Sequence, residues 1–260
     1  MILLRAGQPR WEENKLIIRI GIFYLLTWIF LMLLGGLQQA TGILPPQIGL
    51  AQWGPGIAAL LMLVIFRKDG FKITFFAKET PSLRYLEVVL VPAGIGLLVY
   101  LIRSFVPIVS TPAPDVFDQF LLVLIWTPLG ALGEEIGWRG YLHKKLDTRL
   151  RGLVSSIIVG LLWLPIHISF LSQGPVLLFL LAVWFVSLSI VIYGLVRDTG
   201  FSVLLAAIFH LTLNLINLLI IDVYYNPTFW IINSLIWAIA AGICVFSKRE
   251  LYLGKKPEER

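Results

Sequence analysis

The chain is 260 residues long, 58% hydrophobic and only 14% charged, with a mean hydropathy of +0.87. A soluble domain is about 25% charged and a disordered one pairs high charge with low hydrophobicity, so both classes are excluded. The one cysteine, Cys244, leaves no intramolecular disulfide framework and no paired-cysteine zinc site.

A helix needs about 20 mostly apolar residues to cross the hydrocarbon core of a bilayer. In chain order such stretches fall at 16–37, 47–66, 84–106, 117–138, 153–171, 175–196, 201–221 and 228–247. The punctuation between them is Pro45-Pro46, Arg67-Lys68-Asp69-Gly70, Pro112 and Pro114, Gly174-Pro175, Asp198-Thr199-Gly200 and Asn226-Pro227. The pattern predicts an all-α polytopic membrane protein, a bundle of about eight transmembrane helices forming a single integral membrane domain over 1–260. The first stretch has no small-residue cleavage site, so it reads as a retained span rather than a signal peptide.

Charge placement supports the count. With the N-terminus inside, the cytoplasmic segments carry Arg5, Arg10, Lys15 and Arg19, then Arg67, Lys68, Lys72, Lys78 and Arg84. They continue with Arg139, Lys144, Lys145, Arg149 and Arg151, then Arg197, then Lys248, Arg249, Lys255, Lys256 and Arg260. That places 20 of the 21 basic residues on one side, with only Arg103 near the outer face. The positive-inside rule asks for this asymmetry, and it predicts both termini in the cytoplasm. The net charge of +6 is therefore mostly topology. Its expected neighbours are membrane lipids with anionic headgroups, not nucleic acid.

Ionisable side chains deep in a bilayer are costly and mark functional sites. Arg19, Glu87 and Arg103 lie near span ends; the deep exceptions are Glu134, Glu135 and Arg139 in the fourth stretch, His167 in the fifth and His210 in the seventh. Glu135 and Arg139 stand four apart with the acid first, the favourable order for a helical ion pair. Adjacent helical residues point about 100° apart, so Glu134 is left to face a cavity as a base. Gly133 and Gly137 permit the close approach of a neighbouring helix or a substrate backbone. The alternative is a juxtamembrane charge cluster.

Trp163 and His167 share a helical face, and Pro165 between them is expected to kink the helix at the carbonyl of Leu161. His210 and Asn214 are likewise four apart, with Thr212 and Asn217 nearby. The plainer reading of both pairs is interhelical hydrogen bonding. His143, in a basic stretch, is expected to be solvated or at the headgroups, and Cys244 to be a small core residue.

Taken together, a carboxylate base, two histidines and an amide suffice to hydrolyse a peptide bond. Glu134 with His167 would hold and deprotonate a water, and His210 with Asn214 would stabilise the oxyanion. The same groups offer a second possibility, zinc, with Glu134, His167 and His210 as ligands. The H-E-x-x-H pattern of the common zinc peptidases is absent.

These residues resemble the motifs of the CPBP family, the CAAX proteases and bacteriocin-processing intramembrane proteases. The family pattern is E-E-x-x-x-R, F-x-x-x-H and H-x-x-x-N on separate helices of an eight-helix core. Glu134, Glu135 and Arg139 match the first motif, His210 and Asn214 the third, and His167 the second with Trp163 in place of phenylalanine. The resemblance covers about 80–221 as the catalytic core and implies an intramembrane endopeptidase of the CAAX or bacteriocin/immunity type. It implies that Glu134 and His167 activate water, that His210 and Asn214 form the oxyanion site, and that Glu135 and Arg139 support them. A metal-free glutamate mechanism is preferred to a metalloprotease one. The expected substrate is a peptide or a membrane-anchored protein, prenylated or not. The competing functional readings are a proton- or ion-coupled transporter and a non-catalytic membrane scaffold.

Depth sets one structural requirement. At 1.5 Å per residue, His167 lies about 21 Å from a helix start near 153, whereas Glu134 lies about 7 Å inside an end at Arg139. The two meet only if the fourth helix continues past Arg139, or if the basic stretch 141–151 dips into the interface. Continuation of the helix is the expectation.

Overall fold

A computed structural model describes residues 10–42, 49–77, 80–108, 120–167, 174–218 and 226–254. Among these residues every regular element is helical. Helix α1 spans Arg10–Thr41, and a 3-10 turn, Leu50–Trp53, leads into α2, Gly54–Ile65. Helix α3 is Ser82–Ser104, and α4 is Phe120–Glu135, continued without a break by a π-helix, Ile136–His143, and α5, Lys144–Asp147. There follow α6 (Gly152–Trp163), α7 (Pro175–Val196), α8 (Val203–Asn217), α9 (Pro227–Ser247) and α10 (Arg249–Leu253).

An apolar helix thus lies in each of the eight predicted stretches. Asn14–Thr41, Ser82–Ser104, Pro175–Thr199 and Pro227–Ser247 are long and apolar enough to cross a membrane; Leu50–Ile65, Gly152–Ile166 and Val203–Asn217 are shorter. Length and composition make the chain an integral membrane protein. Pro45, Pro46, Pro112, Pro114, Arg5, Lys78, Lys255, Lys256 and Arg260 lie outside the described residues, as do the ends of the fifth and seventh stretches.

Two expectations are settled by backbone geometry. The fourth helix does continue past Arg139, through the π-helix and α5 to Asp147. The fifth, by contrast, does not run on as a kinked helix through His167. It stops at Trp163 and gives way to a 3-10 turn, Leu164–Ile166, that contains Pro165. Proline cannot supply the N–H that the α ladder needs, and the shorter-range bond from His167 N–H to the Leu164 carbonyl closes the turn instead.

Local chemistry explains the other ends. Asn226 caps α9, its side-chain oxygen accepting from the N–H groups of Thr228 and Phe229, with Pro227 at the first helical position. The first N–H groups of α8 are satisfied from outside the helix: Val203 and Leu204 donate to the carbonyls of Thr74 and Phe75. The Ser202 hydroxyl also donates to the Phe75 carbonyl, and Lys144 anchors the same segment through the Lys72 carbonyl and the Thr74 hydroxyl. Burial pushes the Lys144 ammonium below the usual lysine range.

Helix α7 is the axis of the bundle, packed between α6 and α9. Gly160 lets α6 approach the backbone of α7 at Phe185 and Val186, and Trp184 meets Trp230 of α9 edge-to-face at 5.0 Å. The outer side of α9 is an apolar stripe of Leu235, Ile239 and Ile243, all exposed, with Phe246 beyond them. Four-residue spacing puts these side chains on one helical face, which in a bilayer meets lipid rather than water.

The basic end is closed by buried polar groups. His143 is fully buried, contrary to the solvated position expected for it: its ring stacks on Tyr193 at 5.0 Å and lies 5.5 Å from Phe201, with Nε2 3.3 Å from the Ser156 hydroxyl. Its lysine neighbours in sequence are half-buried and bond Lys72, Thr74 and Asp69, whereas the imidazole of His143 is fully buried in the bundle. Cys244 is half-buried, 3.2 Å from the Tyr252 hydroxyl, which donates to the Ile190 carbonyl. Tyr193 donates to Asp147 Oδ1 at 2.6 Å, and Arg197 lies 3.5 Å from Oδ2 of the same carboxylate. Replacing Tyr193 by Phe leaves that buried acceptor short of a donor and is expected to cost about 1–3 kcal/mol. Thermal unfolding of the purified protein in detergent reads the effect; an unchanged midpoint would show that the hydroxyl ties nothing together.

Candidate active site

Glu134 and Glu135 end α4, and Arg139 sits one turn into the π-helix. Helical packing decides which neighbours these residues meet. A Cβ at Gly133 would press on Trp53 and the Gln52 carbonyl, and one at Gly137 would overlap the backbone of Pro55. The G-x-x-x-G pair therefore admits a helix, the start of α2, rather than a substrate backbone. This contact pins the α–π junction and fixes where the two carboxylates point.

Glu135 is fully buried and accepts from Arg139 Nη1 at 2.8 and 3.0 Å. It also accepts from His210 Nδ1 at 2.9 Å, across the gap between the α4 end and α8. The predicted i,i+4 pair is thus present, and it recruits one of the two deep histidines. Arg139, fully buried as well, lays its guanidinium 4.2 Å from the centroid of the Trp163 ring.

Glu134, 3% exposed, points elsewhere and accepts from the indole Nε1–H of Trp163 at 2.7 Å. His167 sits one turn beyond Trp163, its Nδ1 3.1 Å from the Trp163 carbonyl. A carbonyl can only accept, so Nδ1 carries the proton and Nε2 is the basic nitrogen of the neutral ring. Phe185 of α7 packs on both aromatic neighbours, 4.7 Å from the His167 ring and 5.1 Å from Trp163. Trp163 also meets the His210 ring edge-on at 5.3 Å.

Trp163 is therefore the residue whose role sequence reasoning understated. Read from the sequence only as an aromatic in place of phenylalanine, it is the centre of the cluster, in contact with Glu134, Arg139, His167 and His210. The signal was present in its chemistry: indole carries an N–H donor that phenylalanine lacks. Asn214 lies one turn beyond His210 on α8 and is half-buried. Glu134, Glu135, Arg139, His167 and His210 are thus joined in one contact network around Trp163.

Glu134 and His167 also line one cavity of about 560 Å³, whose other walls come from α1 (Leu31, Met32, Gly35, Gly36, Gln39) and the 3-10 turn (Ala51, Gln52). Among the described residues, no three His, Cys, Asp or Glu side chains converge on a point where an ion would sit. Of the suggested zinc ligands, Glu134 accepts from Trp163, and His167 and His210 direct Nδ1 to the Trp163 carbonyl and to Glu135, a pattern that histidines keep whether or not Nε2 holds a metal.

Comparison with known proteins falls on the same segment. Residues 116–216, which include Glu134, Glu135, Arg139, His167, His210 and Asn214, match the family model described as Type II CAAX prenyl endopeptidase Rce1-like. The chain is 25% identical over 148 residues to Lysostaphin resistance protein A of Staphylococcus epidermidis, covering 55% of this chain and 38% of that protein. It is 23% identical over 202 residues to the protein of the same name in Staphylococcus haemolyticus, covering 75% and 55%. It is 26% identical over 145 residues to CAAX prenyl protease 2 of Methanococcus maripaludis, covering 52% and 53%. The matches thus span about half or less of the relatives' own length.

Proposed function

We propose that this chain, which carries the CAAX prenyl endopeptidase-like pattern over residues 116–216, is an intramembrane endopeptidase that cleaves by water attack. The observation that carries the reading is the split between the two adjacent carboxylates. Glu135 is engaged by two cationic or donor side chains inside the bundle, while Glu134 lines a cavity with His167.

A water held between Glu134 and His167 Nε2 loses a proton to Glu134 as its oxygen attacks the scissile carbonyl carbon. The proton then passes to the leaving nitrogen as the C–N bond breaks, giving one carboxylic acid and one amine. Trp163 orients Glu134 through its N–H. His210 donates Nδ1–H to Glu135 and, when doubly protonated, presents Nε2–H to the oxyanion, with Asn214 as the second donor. In that state Glu134, Glu135, Arg139 and His210 sum to zero charge, which suits a water-poor interior. The substrate is a peptide or membrane-anchored protein of the CAAX type or one related to it, and the basic residues place both termini in the cytoplasm.

Cleavage assays on the purified protein test this reading. Peptides ending in a CAAX box, with and without a prenyl group, are offered with and without a strong zinc chelator. Cleavage is expected, and it should persist in chelator. Loss of activity that added zinc restores would overturn the metal-free step, and a folded protein that cuts no peptide would overturn the endopeptidase reading.

A further inference from the structure

The bundle has two chemically different ends. At one lie Arg19, Asp69 and Lys145, joined as Arg19–Asp69 at 2.7 Å and Lys145–Asp69 at 3.4 Å, together with Arg67, Lys68, Arg197 and Lys248. At the other lie the C-terminal ends of α1, α3 and α8 and the N-terminal ends of α7 and α9. There Arg103 is the one basic side chain among the described residues.

The cavity over Glu134 belongs to the second end. Its walls come from the last third of α1 and from the turn before α2, held together by Gln38, whose Oε1 accepts from the Leu50 N–H at 2.9 Å. Exposure rises along it, from buried Glu134 through half-buried His167 and Gln52 to exposed Met32, Gly36 and Gln39. Towards the basic end the same carboxylate is sealed: all eight residues of the π-helix Ile136–His143 are buried.

We infer that the peptide cut at Glu134 enters from the face opposite the basic residues, through a mouth between the end of α1 and the Leu50–Trp53 turn, in which Gly36 stands. This rests on the endopeptidase reading for what the occupant is, but not for where the mouth lies. By the positive-inside rule that face is extracytoplasmic, so the substrate class is an exported peptide or the extracytoplasmic segment of a membrane-anchored protein. Gln39 and Gln52 offer both donors and acceptors at the mouth, which match the N–H and C=O groups of an extended peptide rather than a hydrocarbon chain. A Cβ at Gly36 meets no atom within 4 Å, so a side chain there fits without displacing a neighbour.

The test uses single cysteines in the full chain, in a Cys244→Ala background that removes the native thiol. Gly36→Cys and Gln39→Cys are expected to react with a membrane-impermeant maleimide in intact cells, and Lys68→Cys only after permeabilisation. The reverse pattern overturns the inference, as does failure of both mouth positions to react even in detergent. On the purified Gly36→Cys protein, a bulky maleimide is expected to lower peptide cleavage at least tenfold; undiminished cleavage by fully labelled protein overturns the route. Should the protein with its native Gly36 cut nothing, the endopeptidase reading fails, while the labelling pattern still decides the face.

Discussion

Glu134→Gln is expected to lower kcat for peptide cleavage by about 10²–10⁴-fold, the usual contribution of a positioned general base. Shape and the bond to Trp163 survive the change, because an amide oxygen accepts from the indole N–H much as a carboxylate oxygen does. What is lost is the capacity to take a proton from water. KM is expected to move little, since the substituted atom binds the attacking water rather than the peptide. The measurement is steady-state cleavage alongside thermal unfolding in the same detergent. Lost activity with an unchanged unfolding midpoint is the hydrolase signature. A variant that unfolds early would instead favour the scaffold reading, in which Glu134 merely holds α4 to Trp163 on α6.

The membrane class, the helical stretches and the Glu135–Arg139 pair were legible in the sequence because each rests on local spacing. Sustained apolar runs need no tertiary information, and an acid four residues before a base meets it within one turn. The shape of the backbone beyond Glu135 was not legible in the same way. Continuation past Arg139 followed from the depth of His167, but the π geometry depends on Gly137 against Pro55 and Gly140 against Val203 and Ile73, contacts set by distant segments. His143 was misplaced for the same reason: its sequence neighbours are lysines, while its packing partners, Tyr193 and Phe201, come from α7 and the turn before α8. Pro165 marked a disruption correctly, yet whether a proline kinks a helix or ends it is decided by what the following residues can bond to. The side of the cavity mouth emerged only when Glu134 was seen against α1.

Arg139→Met is expected to destabilise the protein by about 3–5 kcal/mol, the cost of stranding one partner of a buried ion pair. Glu135 would keep His210 as a donor but lose the guanidinium that bonds it at 2.8 Å. The loss is compounded at Trp163, because a desolvated cation over an indole face contributes about 2 kcal/mol. The ring also bears on the unusual state of Arg139: its Nε and Nη2 have no hydrogen-bond partner among the described residues, and the ring face adds to Glu135 in compensating the buried charge. Lysine cannot replace the planar contact, and Arg139→Lys is expected to recover little. The decisive comparison is the double variant Glu135→Gln, Arg139→Met, which removes both charges and keeps a neutral acceptor for His210. It is expected to be more stable than Arg139→Met alone, with a coupling measured by thermal unfolding across the four proteins of the cycle. If the double variant is no more stable than the single one, the ion pair is not what holds this junction, and the packing of the arginine stem against Trp163 must carry the effect. In either case Trp163 links the two halves of the site: the ring that faces Arg139 is the one whose N–H holds Glu134. Loosening the buried pair should therefore cost catalysis at temperatures where the bundle is still folded.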